Sequence, residues 1–263
     1  VPHIQLETVT TCNAKCGFCP HPDLARSYST MDMDLYRKII DEVQTLPLIQ
    51  FIYFVGLGET LLDPHLLERV RYIRSRGMTN TIGMFTNGFL ATPTRIDDLY
   101  AAGVNIIHFS LNATSPQGHE AAMGVNGLYE KVARSAWYAL TTYGPSRAQV
   151  CAVPSKYLDQ AAFKALWGPF SQIWREDNFA GDTVVDTPPL ERCDFPQSQI
   201  NVLWDGRVTT CCMDPTGHRV FGDLKHQTIR EVFNSEDFTN FRYNHSIGRG
   251  KAESPCDVCS RIR

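Results

Sequence analysis

The strongest constraint on the fold of this chain is its alternation of short apolar segments with longer amphipathic ones. Ile4 to Val9, Phe51 to Val55, Thr81 to Thr86, Asn105 to Leu111 and Ala148 to Val153 read as strands. Phe51 to Val55 is apolar throughout, as a strand buried on both faces must be. Between the strands, apolar residues recur at helical spacing. Leu35, Ile39, Ile40 and Val43 mark one helix, with Asp32 or Asp34 able to cap it, and Leu66, Leu67, Val70 and Ile73 mark the next, closing at Gly77. Thr92, Pro93 and Gly103 supply the N-cap, the first turn and the end of a third helix. Gly127 to Leu140 and Asp159 to Trp167 complete the helices, and Thr183 to Val185 is expected to be a short sixth strand. Repeated βα units build a parallel sheet with helices packed on it. Five or six units cannot close an eight-stranded barrel, so the expectation is an α/β fold with a partial, open barrel.

A βα fold places its chemistry on the loops after the strands. The loop after the first strand reads Thr-Cys-Asn-Ala-Lys-Cys-Gly-Phe-Cys-Pro, with Cys12, Cys16 and Cys19 at Cys-x3-Cys-x2-Cys spacing. Three thiolates on one loop can hold three corners of a cubic iron–sulfur cluster, which usually takes four. The next cysteine is Cys151, so one iron is left open to a ligand. A structural zinc site would want four closed ligands. His21 is a poor fourth ligand, being stiffened between Pro20 and Pro22, and a disulfide would leave one thiol over. With Phe18 before the third cysteine, the loop resembles the signature of the radical S-adenosylmethionine (SAM) superfamily, and the partial barrel is similar to the core of that family.

The resemblance implies a SAM site at the strand ends. Gly58 and Glu59 match two positions of the family's Gly-Gly-Glu-Pro segment, while Leu57 and Thr60 depart from it. By family position Asn87, Ser110 and Asn112 would face the SAM ribose and neighbouring groups, and Phe18 and Val153 its adenine. Read without the family, each is a turn residue or a small polar group at a strand end.

A second cysteine group comprises Cys193, Cys211, Cys256 and Cys259. Asp205-Gly206 between two β-like runs signals a hairpin that would deliver Cys211. By spacing alone, four thiolates could ligate zinc or a second cluster. The pattern resembles the start of the SPASM auxiliary-cluster domain. Only four residues follow Cys259, which is similar to the shorter twitch form found in radical SAM alcohol dehydrogenases. The family thus implies two 4Fe-4S clusters and S-adenosyl-L-methionine, in a barrel over residues 1–185 and a small hairpin-and-helix auxiliary domain over residues 186–263. Cys212 could exchange with Cys211 as a ligand.

The implied activity is reductive cleavage of SAM to a 5′-deoxyadenosyl radical, hydrogen abstraction, and dehydrogenation with the second cluster as electron acceptor. A redox-neutral epimerase or isomerase, with Cys151 or Cys212 returning a hydrogen atom, is the next reading, followed by maturation of a ribosomal peptide. A cysteine-rich binding module or redox sensor is the non-enzymatic one. Cys151 is otherwise a small buried side chain. Arg192 and Glu191, with Asp182 and Arg175, lie between the two cysteine groups and are candidates for substrate contact, although charged residues there are usually solvated surface.

Composition narrows the partners. A net charge of −3 and no basic cluster give no footprint for nucleic acid. No apolar run reaches the roughly 18 residues that a membrane span needs. Nine cysteines at ligand-like spacing, with no secretory leader after Val1, point to a reducing, cytoplasmic setting. An electron donor such as flavodoxin or ferredoxin, and a small-molecule or peptide substrate, are the partners expected.

Overall fold

The computed structural model describes residues 2–24, 26–190 and 192–262. Its frame is a single sheet of β1 (His3–Leu6), β2 (Phe51–Phe54), β3 (Thr81–Thr86), β4 (Ile106–Ser110), β5 (Ala148–Ala152), β6 (Ser171–Ile173), β7 (Gln199–Val202), β8 (Arg207–Thr209) and β9 (Val220–Asp223). The strand order is β6-β5-β4-β3-β2-β1-β7-β8-β9. β1 to β6 pair in parallel, β7 is parallel to β1, and β8 and β9 pair antiparallel. The helices between the parallel strands are α1 (Met33–Gln44), α2 (Leu66–Ser75), α3 (Pro93–Ala102), α4 (Pro116–Met123), α5 (Tyr129–Tyr143) and α6 (Gln160–Trp167).

Local chemistry explains the helix boundaries. Asp32 caps α1 by accepting from the amides of Asp34 and Leu35. Thr92 caps α3 and Pro93 opens it, while Gly103 takes the left-handed conformation that ends it. Period two divides the sheet into two faces. Leu6, Phe54, Met84, Phe109 and Val150 are fully buried beneath the helices, each contributing about 2 kcal/mol by burial. The alternate residues line the opposite, inner face. There the Trp174 ring, just after β6, stands 6.0 Å from the Phe85 ring on β3. The outer strand has curled inward across two neighbours, so the sheet is an α/β half-barrel.

Two features differ from expectation. Thr183 to Val185 is not a strand; the sixth strand is Ser171–Ile173. Val184 is fully exposed, and the flanking Asp182 and Asp186 leave the short apolar run no face to bury. The polar Ser171-Gln172-Ile173 run pairs instead with β5, on the half-open inner face. The second difference is α4, which the apolar pattern does not announce.

After β6 the chain forms α7 (Phe195–Ser198), β7 to β9, α8 (Ile229–Phe233) and α9 (Glu236–Ser246). Asp205 and Gly206 turn between β7 and β8, with Gly206 at φ +92°. α1 anchors this region. The Glu42 carboxylate accepts from the amides of Ile229 and Arg230, and Lys38 Nζ donates to the Leu224 carbonyl at 2.6 Å.

Candidate functional site

The loop carrying Cys12, Cys16 and Cys19 lies across the C-terminal ends of the strands and is held by its own backbone. The amides of Lys15 and Gly17 donate to the carbonyls of Met123 and Ala122, so the last turn of α4 is the shelf on which the loop rests. Gly124, at φ +64°, closes α4 there; a Cβ on it would come within 2.6 Å of the Lys15 carbonyl oxygen. The missed helix is therefore part of the site. Its signals are Ser115-Pro116 at the start, with Ser115 accepting from the Gly118 amide, and Gly124 at the end.

All three thiols are unbridged and partly exposed. Burial raises the pKa of Cys16, and the nearby thiols of Cys19 and Cys12 raise it further. Cys19 is pushed up to about 11 by burial, opposed by a backbone donor at His21, with Cys12 adding to the rise. Three crowded thiols that resist ionising by themselves fit a cluster that binds them as thiolates. His21 is occupied elsewhere, with its Nε2 2.7 Å from the Thr10 carbonyl oxygen.

At the end of β2, Gly58 lies so close to the loop that a Cβ would stand 2.1 Å from the Val9 carbonyl oxygen. Glu59 is buried and accepts from the Leu61 amide at 2.9 Å, Thr86 Oγ1 at 2.6 Å and the Asn87 amide at 2.7 Å. Its carboxylate is thereby committed to joining the ends of β2 and β3. Asn87 Nδ2 reaches Asn13 Oδ1 at 2.7 Å, tying β3 to the cysteine loop. Asn112, at φ +57°, accepts from the Val153 amide at 2.9 Å and points Nδ2 at the Met123 sulfur. The same sulfur receives Cys16 Sγ at 3.6 Å. Phe18 packs half-buried against the core, and Ser110 is half-buried in register with Cys151. Close approach and hydrogen bonds thus link Gly58, Glu59, Asn87, Asn112 and Val153 to the three-cysteine loop and its α4 shelf.

The second group is gathered from distant segments. Burial raises the pKa of the Cys211 thiol, and the thiols of Cys212, Cys193 and Cys256 raise it further. Cys256 is pushed to about 12 by burial, then by Cys259 and Cys193. Burial raises the pKa of Cys193, and the Cys259 thiol adds to the rise. Cys212 turns to the inner face of the sheet, where its sulfur accepts from Gln199 Nε2 at 3.4 Å. Ion pairs brace the group: Asp177 accepts from Arg175 at 2.8 Å and Arg261 at 2.6 Å, and Arg219 joins Glu253 to Asp237. Among the described residues no three ligand side chains converge tightly enough for one ion. A cubane asks for less, because each thiolate binds its own iron.

The proposed substrate contacts fare differently. Arg192 is exposed and donates to the Ser246 carbonyl at 2.9 Å, on the flank of α9. Glu191 lies outside the described residues. Arg175 is engaged with Asp177, and Asp182 lines a surface cavity of about 320 Å³ with Pro20, Asp23 and His218. Cys151 is buried on the inner face, its sulfur 3.7 Å from His108 Nδ1. Sequence reasoning missed His108. The signal was present: in Ile106-Ile107-His108-Phe109-Ser110, His108 and Ser110 alternate with the core residues and share the inner face.

Comparison with known proteins agrees with this geometry. The family model for the radical SAM superfamily matches residues 6–140, and one described as an iron–sulfur cluster-binding domain, SPASM, matches residues 193–260. A cofactor-modifying protein for tungsten-containing aldehyde ferredoxin oxidoreductase, from Pyrococcus furiosus, is 24% identical over 98% of this chain and 87% of its own. The S-adenosyl-L-methionine-dependent 2-deoxy-scyllo-inosamine dehydrogenase of Niallia circulans is 24% identical over 98% of this chain and 92% of its own. The crystal structure of BtrN with AdoMet and 2-DOIA superposes with TM-score 0.75 at 20% identity, covering 99% of this chain and 93% of that one. SuiB of Streptococcus suis, bound to precursor peptide SuiA, superposes with TM-score 0.71 at 12% identity, over 98% and 69% of the two chains. No helix among the described residues is long and apolar enough to cross a membrane. With its three-cysteine loop set in the mouth of a parallel half-barrel, the chain belongs to the radical SAM superfamily.

Proposed function

We propose that this enzyme dehydrogenates a small-molecule substrate. Cys12, Cys16 and Cys19 would hold the SAM-binding 4Fe-4S cluster, and Cys193, Cys211, Cys256 and Cys259 a second one. When bound, the first cluster and SAM supply one-electron cleavage of the sulfonium, giving a 5′-deoxyadenosyl radical that removes hydrogen from an unactivated carbon. Gly58, Asn87, Ser110, Asn112 and Val153 shape the SAM pocket, with Glu59 fixing the strand ends that form it. A second cluster held by Cys193, Cys211, Cys256 and Cys259 would supply an acceptor for the one electron that oxidation of an alcohol or amine leaves over after loss of a hydrogen atom and a proton. A ferredoxin or flavodoxin is the fitting electron donor for the first step.

What supports this reading is that one continuous sheet runs from the strand ends around the three-cysteine loop to the segment that carries Cys211 and Cys212. Gln5 on β1 donates to Gln199 on β7 at 2.6 Å, and Gln199 reaches Cys212 beside the second group. At the other end, the Cys151 carbonyl accepts from the amides of Leu111 and Asn112 at the SAM mouth. A substrate on the inner face of that sheet would lie between hydrogen-atom acceptor and electron acceptor. The relatives include a 2-deoxy-scyllo-inosamine dehydrogenase and a protein bound to a peptide; the dehydrogenase, which aligns over nearly the whole of both chains, favours the small molecule.

Anaerobic reconstitution tests the proposal. The expected result is about eight irons per chain with matching sulfide, and SAM cleavage on reduction. Replacing Cys193 and Cys256 by alanine should leave SAM cleavage and remove product oxidation. Two zincs and no SAM cleavage would overturn the reading. A redox-neutral epimerisation is the second reading, because burial pushes the Cys151 thiol up to about 12, so it stays protonated on the inner wall. Under that reading Cys151→Ala keeps SAM cleavage and loses product; under dehydrogenation the product persists.

A further inference from the structure

We infer that Glu7 and Arg26 are positioning residues that fix how far apart the two cysteine groups sit. The inference deepens the reading above, which needs an electron acceptor at a set distance from the radical, and it rests on both groups holding clusters.

Several distant parts of the chain meet at this pair. Glu7 follows β1 and its side chain is 2% exposed, while Arg26, on the segment that returns from the three-cysteine loop, is 9% exposed. The guanidinium meets the carboxylate as a fork, with Nη1 2.6 Å from Oε2 and Nη2 2.5 Å from Oε1. The Glu7 oxygens also accept from the amide of Leu57, after β2, at 3.3 Å and from that of Trp204, between β7 and β8, at 3.4 Å. Arg26 Nε donates at 2.6 Å to the carbonyl of Pro215, in the loop that follows Cys211. Gly56 leaves room for the carboxylate: a Cβ there would lie 2.4 Å from Glu7 Cγ.

The segment carrying Arg26 is itself tied to the strand that leads into the three-cysteine loop. The Thr10 amide donates to the Ser29 carbonyl at 2.9 Å, the Ser29 amide donates to Thr10 Oγ1 at 2.5 Å, and Val9 bridges Thr30. A shift of Pro215 against Arg26 is therefore a shift of the Cys211 loop against the first group. A buried ion pair is a poor source of stability, because desolvation offsets most of the attraction and an apolar pair of similar volume does as well. What a guanidinium fork with a third donor adds is direction, since its bonds are all made in one arrangement of these segments and lost in a neighbouring one. Radical chemistry demands that kind of fixed arrangement: a misplacement of about 1 Å can cost roughly a hundredfold in rate.

The test uses the anaerobically reconstituted protein, reduced without SAM so that nothing turns over. Dipolar coupling between the two reduced clusters, read by pulsed electron paramagnetic resonance, gives their separation. The wild type should show one narrow distance. Arg26→Met leaves a buried carboxylate unpaired, so it should lower the melting temperature by roughly 8 °C and broaden the distance at unchanged iron content. Adding Glu7→Gln removes that charge and keeps an acceptor for the amides of Leu57 and Trp204. The double variant should recover most of the melting temperature yet keep the broad distance, which a merely stabilising pair would not do. Arg26→Lys, whose single ammonium cannot serve both Glu7 as a fork and Pro215, carries the test with a smaller broadening if Arg26→Met does not fold. A wild-type distance in the double variant or in Arg26→Lys, or a broad one in the wild type, would overturn the inference. About four irons in the wild type rather than about eight would instead count against the two-cluster reading. Hydrogen exchange then decides the inference: faster exchange of the Ser29 and Trp204 amides in Arg26→Met supports it, and unchanged exchange overturns it.

Discussion

The two cysteine groups solve the same problem in opposite ways. Cys12, Cys16 and Cys19 sit on one short loop held by neutral contacts: amides on the carbonyls of α4, the Asn13–Asn87 bridge, and close approach at Gly58. The second group draws Cys193, Cys211, Cys256 and Cys259 from three separate segments and braces them with charge. Asp177 alone joins Arg175 to Arg261, linking the stretch after β6 to the last residues described. A local loop loses little chain entropy on closing, whereas segments far apart in sequence need strong ties to stay together. The first site should therefore survive damage that scatters the second.

The largest expected effect separates the two outright. Cys16→Ala should abolish SAM cleavage while the second cluster still gives its electron paramagnetic resonance signal, and Cys256→Ala should do the reverse. Equal loss of both signals in either variant would break the comparison. Next is Asp177→Asn, which leaves two partly buried arginines without their carboxylate. It should cost about 3 kcal/mol of stability in denaturant melts and deplete iron from the second group, with SAM affinity held. Gly124→Ala strikes only the first site. It forces a left-handed alanine against the Lys15 carbonyl, costing about 2 kcal/mol, and should weaken SAM binding while the second cluster is retained. The smallest is Asn13→Ala, which removes one side-chain bridge worth about 1 kcal/mol. Its expected signature is a few-fold weaker SAM affinity by equilibrium dialysis.

Sequence legibility followed the same division. Thr81–Thr86 and Pro93–Ala102 were readable to the residue because capping chemistry and strand alternation are local. The three-cysteine loop was readable for the same reason. α4 escaped because its stripe of His119, Ala122 and Met123 is short and weakly apolar, although Ser115-Pro116 and Gly124 bracket it. Thr183 to Val185 misled because an apolar run has no strand partner unless a sheet edge lies beside it. Arg192 looked like a substrate contact from its place between the cysteine groups, but its guanidinium is turned onto α9.

By itself, the sequence determined the βα alternation, the helix caps, the thiol spacing and so the superfamily, because each depends on neighbours within a turn or two of chain. Only tertiary structure decided that β7 joins β1, that Gln199 connects Gln5 on β1 to Cys212 beside the second thiol group, and that His108 packs against Cys151. Those relations depend on which strands lie side by side and how far the sheet curls. That is settled by burying the apolar outer face under helices, and no local pattern of residues encodes it.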